Sequence, residues 1–393
     1  MIDSVKIKCV DRSIASKGAR TLDVRVSSSE SFETPTRPIS TMELTAKSFL
    51  GYRGELTAPL SALPVDLSTG SKFQRFLKKN GTVNDTRRKL QSMSDSTYMC
   101  PSFPILQMPI LKPPLTTEDE LPFKIAFDMQ CSVEDMDYIC IPAVGPGASG
   151  FEKTVVDWCE SAEDGCGKGA VPQIRLDEDP EIFSKKIGIL CDLSKTGLVT
   201  IVNVIYANPD RNSLQLAELW SRREDMNAIV NCSEVPPKGN EFRKGVSMDL
   251  EEYLIQHGID SITRKKGFIS FKYMYKRNME EPPTDLDGAD DYNMAVHSAS
   301  VRISKNLWES TEHPLFCGCS VCRGDTREKL IDRFAYKDNG AIERSGMNYF
   351  SKIHDHQSDQ SELSGMRRFI RSGEMAEYEE QLETKRKELL DSL

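Results

Sequence analysis

Apolar and polar residues alternate with a period of two in Ser4-Val5-Lys6-Ile7-Lys8-Cys9-Val10 and again in Leu22-Asp23-Val24-Arg25-Val26. Side chains on a strand point to opposite faces in turn, so this alternation predicts two short strands ahead of a polar turn at 27–31. Residues 32–40 enter as the next strand. Apolar runs at 123–127, 138–144, 187–193, 198–206, 228–232 and 261–263 read as further strands, and 213–223 and 248–257 read as helices between them. Residues 101–122 are proline-rich and poorly periodic, which predicts a loop or flap. The end of the chain, 375–393, reads as a charged helix with solvated ion pairs. Strand–helix alternation over this length predicts a parallel α/β architecture.

Composition narrows the class. The 393 residues can bury a large core, and about 300 residues ahead of the last cysteine cluster suit one barrel-sized domain. No run of eighteen apolar residues occurs, and the N-terminus lacks the apolar core of a signal peptide, so no membrane partner and a cytoplasmic location are expected. Three of the eleven cysteines are clustered, which points to reduced thiols and a metal rather than a disulfide framework. A net charge of −9 argues against a protein that coats nucleic acid, but local clusters of positive charge could still steer a polyanion.

Two clusters do so. Residues 72–89 hold Lys72, Arg75, Lys78, Lys79, Arg87, Arg88 and Lys89 against the single acid Asp85. Residues 264–277 carry six positive charges and no acid. Read as a strand, this second stretch has Phe271, Tyr273 and Tyr275 on one face and Lys272, Met274 and Lys276 on the other. That is a phosphate-binding strip with rings for base stacking, or an amphipathic strand with a solvated basic face. Gly147 lies in a Gly/Pro-rich run, 145–150, that offers backbone amides to a base or phosphate.

The densest chemistry is Cys317-Gly318-Cys319-Ser320-Val321-Cys322, followed by Ile353-His354-Asp355-His356. Three thiols and one imidazole complete a tetrahedral zinc set with no open position, so one structural Zn2+ per chain is expected, with His354 or His356 as fourth ligand.

From His313 to Tyr378 the chain resembles the zinc subdomain of the tRNA-guanine transglycosylase family. The interval from His354 to Met366-Arg367-Arg368-Phe369-Ile370-Arg371-Ser372-Gly373 fits that pattern and favours His354, although the gap from cysteines to histidine is longer, with an insertion expected at 336–346. Glu33-Thr34-Pro35, Ser94-Asp95-Ser96, Phe127-Asp128 and Gly258-Ile259-Asp260 resemble the family's motifs in the same order. The resemblance implies a (β/α)8 barrel with N-terminal strands over 1–310 and a zinc-binding subdomain with C-terminal helices over 311–393. It implies a pentosyltransferase that exchanges guanine in a polynucleotide for a 7-deazaguanine such as preQ0. One Asp attacks the sugar C1′ to give a covalent glycosyl-enzyme, and a second group moves the proton. On this reading Asp95 and Asp260 are catalytic, with Asp290 or Asp291 in reserve as nucleophile. Asp128 reads the base, and Ser94, Gly147, Lys272 and Tyr273 contact substrate.

Two departures stand out. Thr97-Tyr98 replaces the family's Gly-Gly after the first Asp, and Thr263 stands where the attacking Asp would align. They make the chain closer in character to the DNA-guanine transglycosylases of phages and bacterial modification islands, so DNA is the expected partner. tRNA is the alternative, a non-catalytic subunit of the same fold is the rival, and a homodimer is left open.

Overall fold

The computed structural model describes residues 1–12, 18–26, 30–40, 43–44, 46, 58–67, 70–78, 80–96, 100–108, 117–143, 150–207, 211–236, 250–265, 294–296, 301–303, 321–323, 325–326, 329–330, 333 and 344–392. The fold is mixed α/β with parallel sheets. Strands β1 (Ser4–Val10), β2 (Arg20–Arg25) and β3 (Ser31–Glu33) form an antiparallel sheet. Strands β4 (Ile39–Ser40), β5 (Ser61–Asp66) and β6 (Ser102–Gln107) form a parallel sheet in that order. A second parallel sheet of five strands follows in chain order: β7 (Tyr138–Ile141), β8 (Gly169–Arg175), β9 (Ile201–Ile205), β10 (Ile229–Val235) and β11 (Ser261–Arg264). A short antiparallel pair, β12 (Met294–Val296) and β13 (Val301–Ile303), precedes the C-terminal region.

Helices fill the crossovers. They are α1 (Gly70–Lys78), α2 (Asn80–Asp95), α3 (Thr117–Cys131), α4 (Phe151–Cys166), α5 (Pro180–Lys195), α6 (Ser213–Ser221) and α7 (Leu250–Gln256), followed by α8 (Arg344–Ser372) and α9 (Met375–Ser392). Helix α4 buries Phe151, Val155, Cys159 and Ala162 at steps of four, four and three, which is one helical face. Gly167, at φ 66°, stops it, and its N–H and that of Lys168 close on the carbonyls of Glu163 and Ala162.

Several expectations need correction. Residues 187–193 are helical because Asp179-Pro180 starts α5: the Asp179 carboxylate caps the N–H groups of Glu181 and Ile182 at 3.0 and 3.3 Å. Buried Phe183, Ile187, Leu190, Cys191 and Ser194 then follow helical spacing. Residues 123–127 belong to α3, whose buried Phe123, Ala126, Met129 and Gln130 repeat every three to four positions. The proline-rich stretch contains β6, which is buried almost throughout and paired with β5 along its whole length. Prolines in a strand buried on both faces mask its periodicity. The strands expected near 4–10, 22–26, 138–144, 198–206, 228–232 and 261–263 are present within a few residues, as are helices α6, α7 and α9.

Three apolar clusters hold these layers. The largest lies between the five-stranded sheet and its helices and extends to Val321, Cys322, Phe350 and Ile353. A second joins β5 and β6 to α1, α2 and α3. The third collects Ala62, Phe103, Ile105, Tyr138, Val171, Ile201 and Ile229 from six parallel strands and covers them with Ile2, ahead of β1, and with Val5, Leu22 and Val24 of the antiparallel sheet. Arg20 of β2 pins this cover. It is 2% exposed and donates to both carboxylate oxygens of Asp260 (2.9 and 2.6 Å) and to the carbonyls of Arg223, Met226 and Ala228.

Candidate active site at the carboxyl ends of the parallel strands

One row of aligned residues crosses β8 to β11 at a single level: Gln173, Asn203, Asn231 and Ser261. Thr36 continues it through a parallel bridge to Ser261. All five are buried. Buried polar groups must find partners, and Asn203, Asn231 and Ser261 find one another. Asn231 donates to the Asn203 carbonyl oxygen (2.7 Å) and accepts from the hydroxyls of Ser261 and Thr263 (2.9 and 3.1 Å), while Asn203 donates to Ser233 (3.0 Å). With its amide oriented to satisfy both atoms, Gln173 spans to β6, donating to the Leu106 carbonyl (3.0 Å) and accepting from its N–H (3.2 Å).

Beyond this belt, toward the carboxyl ends, the strands present charge. Asp66 ends β5 beside Gln107, its register partner on β6. Glu234 lies on β10, where its φ of 62° and a register shift against β11 mark a bulge. Left-handed backbone is costly for Glu and turns the strand by one position. Val230, Cys232 and Val235 therefore share the helix-side core, and Glu234 leaves it. Its carboxylate accepts from the Gln107 amide and lies within the field of Asp66. Burial, the largest cause, raises the pKa of Glu234. The neighbouring Asp66 adds to that rise, while Lys265 and Gln107 oppose it. Each carboxylate meets a lysine on its solvent side: Lys72 of α1 pairs with Asp66, and Lys265 lies 3.8 Å from Glu234.

The residues singled out from sequence do not meet here. Asp95 is exposed at the end of α2, where its carboxylate accepts from Gln91 (2.6 Å), and Ser94 is buried beside it. Asp128 is exposed on α3. Asp260 sits at the amino end of β11, fully buried, with Arg20 and the Val230 N–H on its oxygens. Burial raises its pKa, with Arg20 opposing. Thr263 is spent on Asn231. Gly147, Lys272, Tyr273, Asp290 and Asp291 lie outside the described residues.

Asp66, Gln107 and Glu234 were missed because two of their strands carry prolines and the third a bulge. The signal that could have found them is an acidic or amide residue closing an apolar run.

The cysteine–histidine set is partly described. Cys322 and His354 are buried, and the His354 ring stacks on Phe350 with centroids 5.8 Å apart. Cys317 and Cys319 lie outside the described residues, among which no group of three or more metal-ligating side chains occurs. His356 is two positions along α8, on another face, and lies near enough to contribute to the lowering of the Glu43 pKa. Burial opposes that shift, and Arg37 is the strongest force behind it. On the same helix Asp359 binds both Arg37 and Arg264, the latter at 2.8 Å, and Arg264 also binds Glu251. Helix α8 is thereby clamped to the end of β11. Among the described residues no helix is long and apolar enough to cross a membrane.

No family model matches this chain, and no curated protein matches it in sequence.

Proposed function

We propose that the eight parallel strands close into a (β/α)8 barrel and that the chain is a guanine transglycosylase, exchanging guanine in a polynucleotide, DNA by preference, for a 7-deazaguanine. The observation that carries the reading is the Asp66–Gln107–Glu234 constellation. Gln107 of β6 reaches Glu234 of β10 although they belong to different sheets, as residues facing each other across a barrel mouth would. The Thr36–Ser261 bridge and the six-strand apolar cluster favour the same closure. Barrel enzymes place their sites at this end of the strands.

Two carboxylates with different surroundings suit a double displacement. Asp66, beside the Lys72 ammonium, takes the role of nucleophile at C1′. Glu234, whose pKa burial raises, protonates the departing guanine and then takes a proton from the incoming base. Gln107, between them, offers an amide to the base edge. These two acids replace Asp95 and Asp260 in the roles the resemblance implied. Zn2+ on Cys317, Cys319, Cys322 and His354 would hold the last subdomain together.

The test is nucleoside mass spectrometry after incubating protein with a 7-deazaguanine base and either duplex DNA or tRNA. Wild type should incorporate the base, and Asp66→Asn should neither incorporate it nor form a covalent adduct. Glu234→Gln should slow adduct formation and block completion of exchange, because both proton transfers lose their carrier. Incorporation by both variants at the wild-type rate would refute the assignment. The hydrogen bond from Thr263 into the belt favours one rival, a binding subunit without catalysis, for which wild type itself would be inactive.

A further inference from the structure

The two lysines at the mouth share an arrangement that the chemistry of base exchange does not require. Lys72 and Lys265 are the outer partners of their ion pairs, with side chains 39% and 58% exposed, whereas Asp66 and Glu234 are 27% and 18% exposed. Each lysine side chain is therefore more exposed than the carboxylate it meets. Lys72 also lies in the first turn of α1, whose N–H groups favour negative charge. From there Arg75 and Lys78, both exposed, continue along α1. On α2, Arg88 and Lys89 are exposed as well, with Asp85 as the acid nearest to Arg88, 3.9 Å away. On a chain of net charge −9 this is a local reversal of sign that begins at the carboxylate pair.

We infer that Lys72 and Lys265 grip the phosphodiesters flanking the target nucleotide, and that Arg75 and Lys78 carry the backbone onward over α1. The inference rests on the proposed site and names its partner: the phosphodiester backbone of a polynucleotide. The phosphate competes with the carboxylates for the lysines, so substrate arrival loosens Lys265 from Glu234 just where a proton must be given.

The experiment is fluorescence anisotropy of a labelled DNA duplex and of labelled tRNA against the full chain across a KCl series. Each phosphate contact contributes about 0.9 to the slope of log affinity against log salt on duplex DNA. Lys265→Gln should flatten the slope by about 0.9 and Arg75→Gln with Lys78→Gln by about 1.8, with Lys265→Arg restoring the wild-type value. The polymer that shows the loss identifies the source of the backbone. Wild-type slopes in both folded variants, or no salt-dependent binding to either polymer, overturns the inference. Because Arg75 and Lys78 are exposed on a helix surface, that double variant keeps the test open even if Lys265→Gln fails to fold. Binding is read without base exchange. An inactive protein whose variants lose slope refutes the transglycosylase reading alone, and an active one with unchanged slopes refutes this inference alone.

Discussion

At the scale of single residues, Glu234 combines three unfavourable features: left-handed backbone, partial burial, and a like charge nearby. Such features persist where surrounding structure holds them, and they concentrate at working sites. The sign of the pH effect follows. A carboxyl whose pKa rises on folding stabilises the protein below its unfolded pKa, about 4.3. That contribution is lost as pH rises through the higher folded value. Glu234→Gln should therefore raise the melting temperature relative to wild type at pH 8, with the difference vanishing toward pH 4. Parallel thermal melts across that range check this, and a constant offset would mean the carboxyl's proton is not the cause. Asp260 is the opposite case, a buried acid with every contact on the folding side. Asp260→Asn leaves Arg20 buried without a counter-charge and should cost about 3–5 kcal/mol in urea unfolding. If it instead stops catalysis with stability unchanged, Asp260 is a reacting group.

At the scale of elements, α8 is held by charge as much as by apolar contact. Asp359 is shared by Arg37 and Arg264, all with side chains at most 8% exposed. Asp359→Ala leaves Arg37 with Glu43 and Arg264 with Glu251 but without their shared carboxylate, and should lower unfolding stability by about 3–5 kcal/mol. Asp359→Asn, which retains the shape, should lose less. Legibility in the sequence also varied by element. β1 and β2 were readable because one face of each meets the core and the other meets water, which produces clean alternation. α3 and α5 were misread as strands because short apolar runs such as Ile187-Gly188-Ile189-Leu190 carry no period of their own, and only the Asp179-Pro180 cap reveals the helix. β5 and β6 were missed because Pro64 and Pro104 sit inside strands. The carboxylate pair was missed with them, since a site assembled from three distant strand ends has no local spacing to read. The cysteine cluster stands out in the sequence because its three thiols lie within six residues, two of them outside the described residues.

At the scale of the whole molecule, the zinc expectation and the chain's first residues bear on how its parts are tied together. Purified protein should carry about one zinc per chain, measurable by plasma mass spectrometry. Cys319→Ser should lose metal and soluble yield together, because metal binding and folding of such a region are coupled. His354→Ala should release zinc and His356→Ala should retain it, since the interval to Gly373 favours His354. The reverse result would exchange their roles. The Arg20–Asp260 pair spans 240 positions of sequence. At ribosomal rates of about 5–20 residues per second, Arg20 waits roughly 12–50 s after its own synthesis before its partner exists. For most of that time the apolar face of the first sheet lacks some of the six parallel strands it covers, the last of which ends at Val235. Nascent chains halted before residue 260 should accordingly be bound by chaperones through their first twenty-five residues, and chains halted well beyond it should be released.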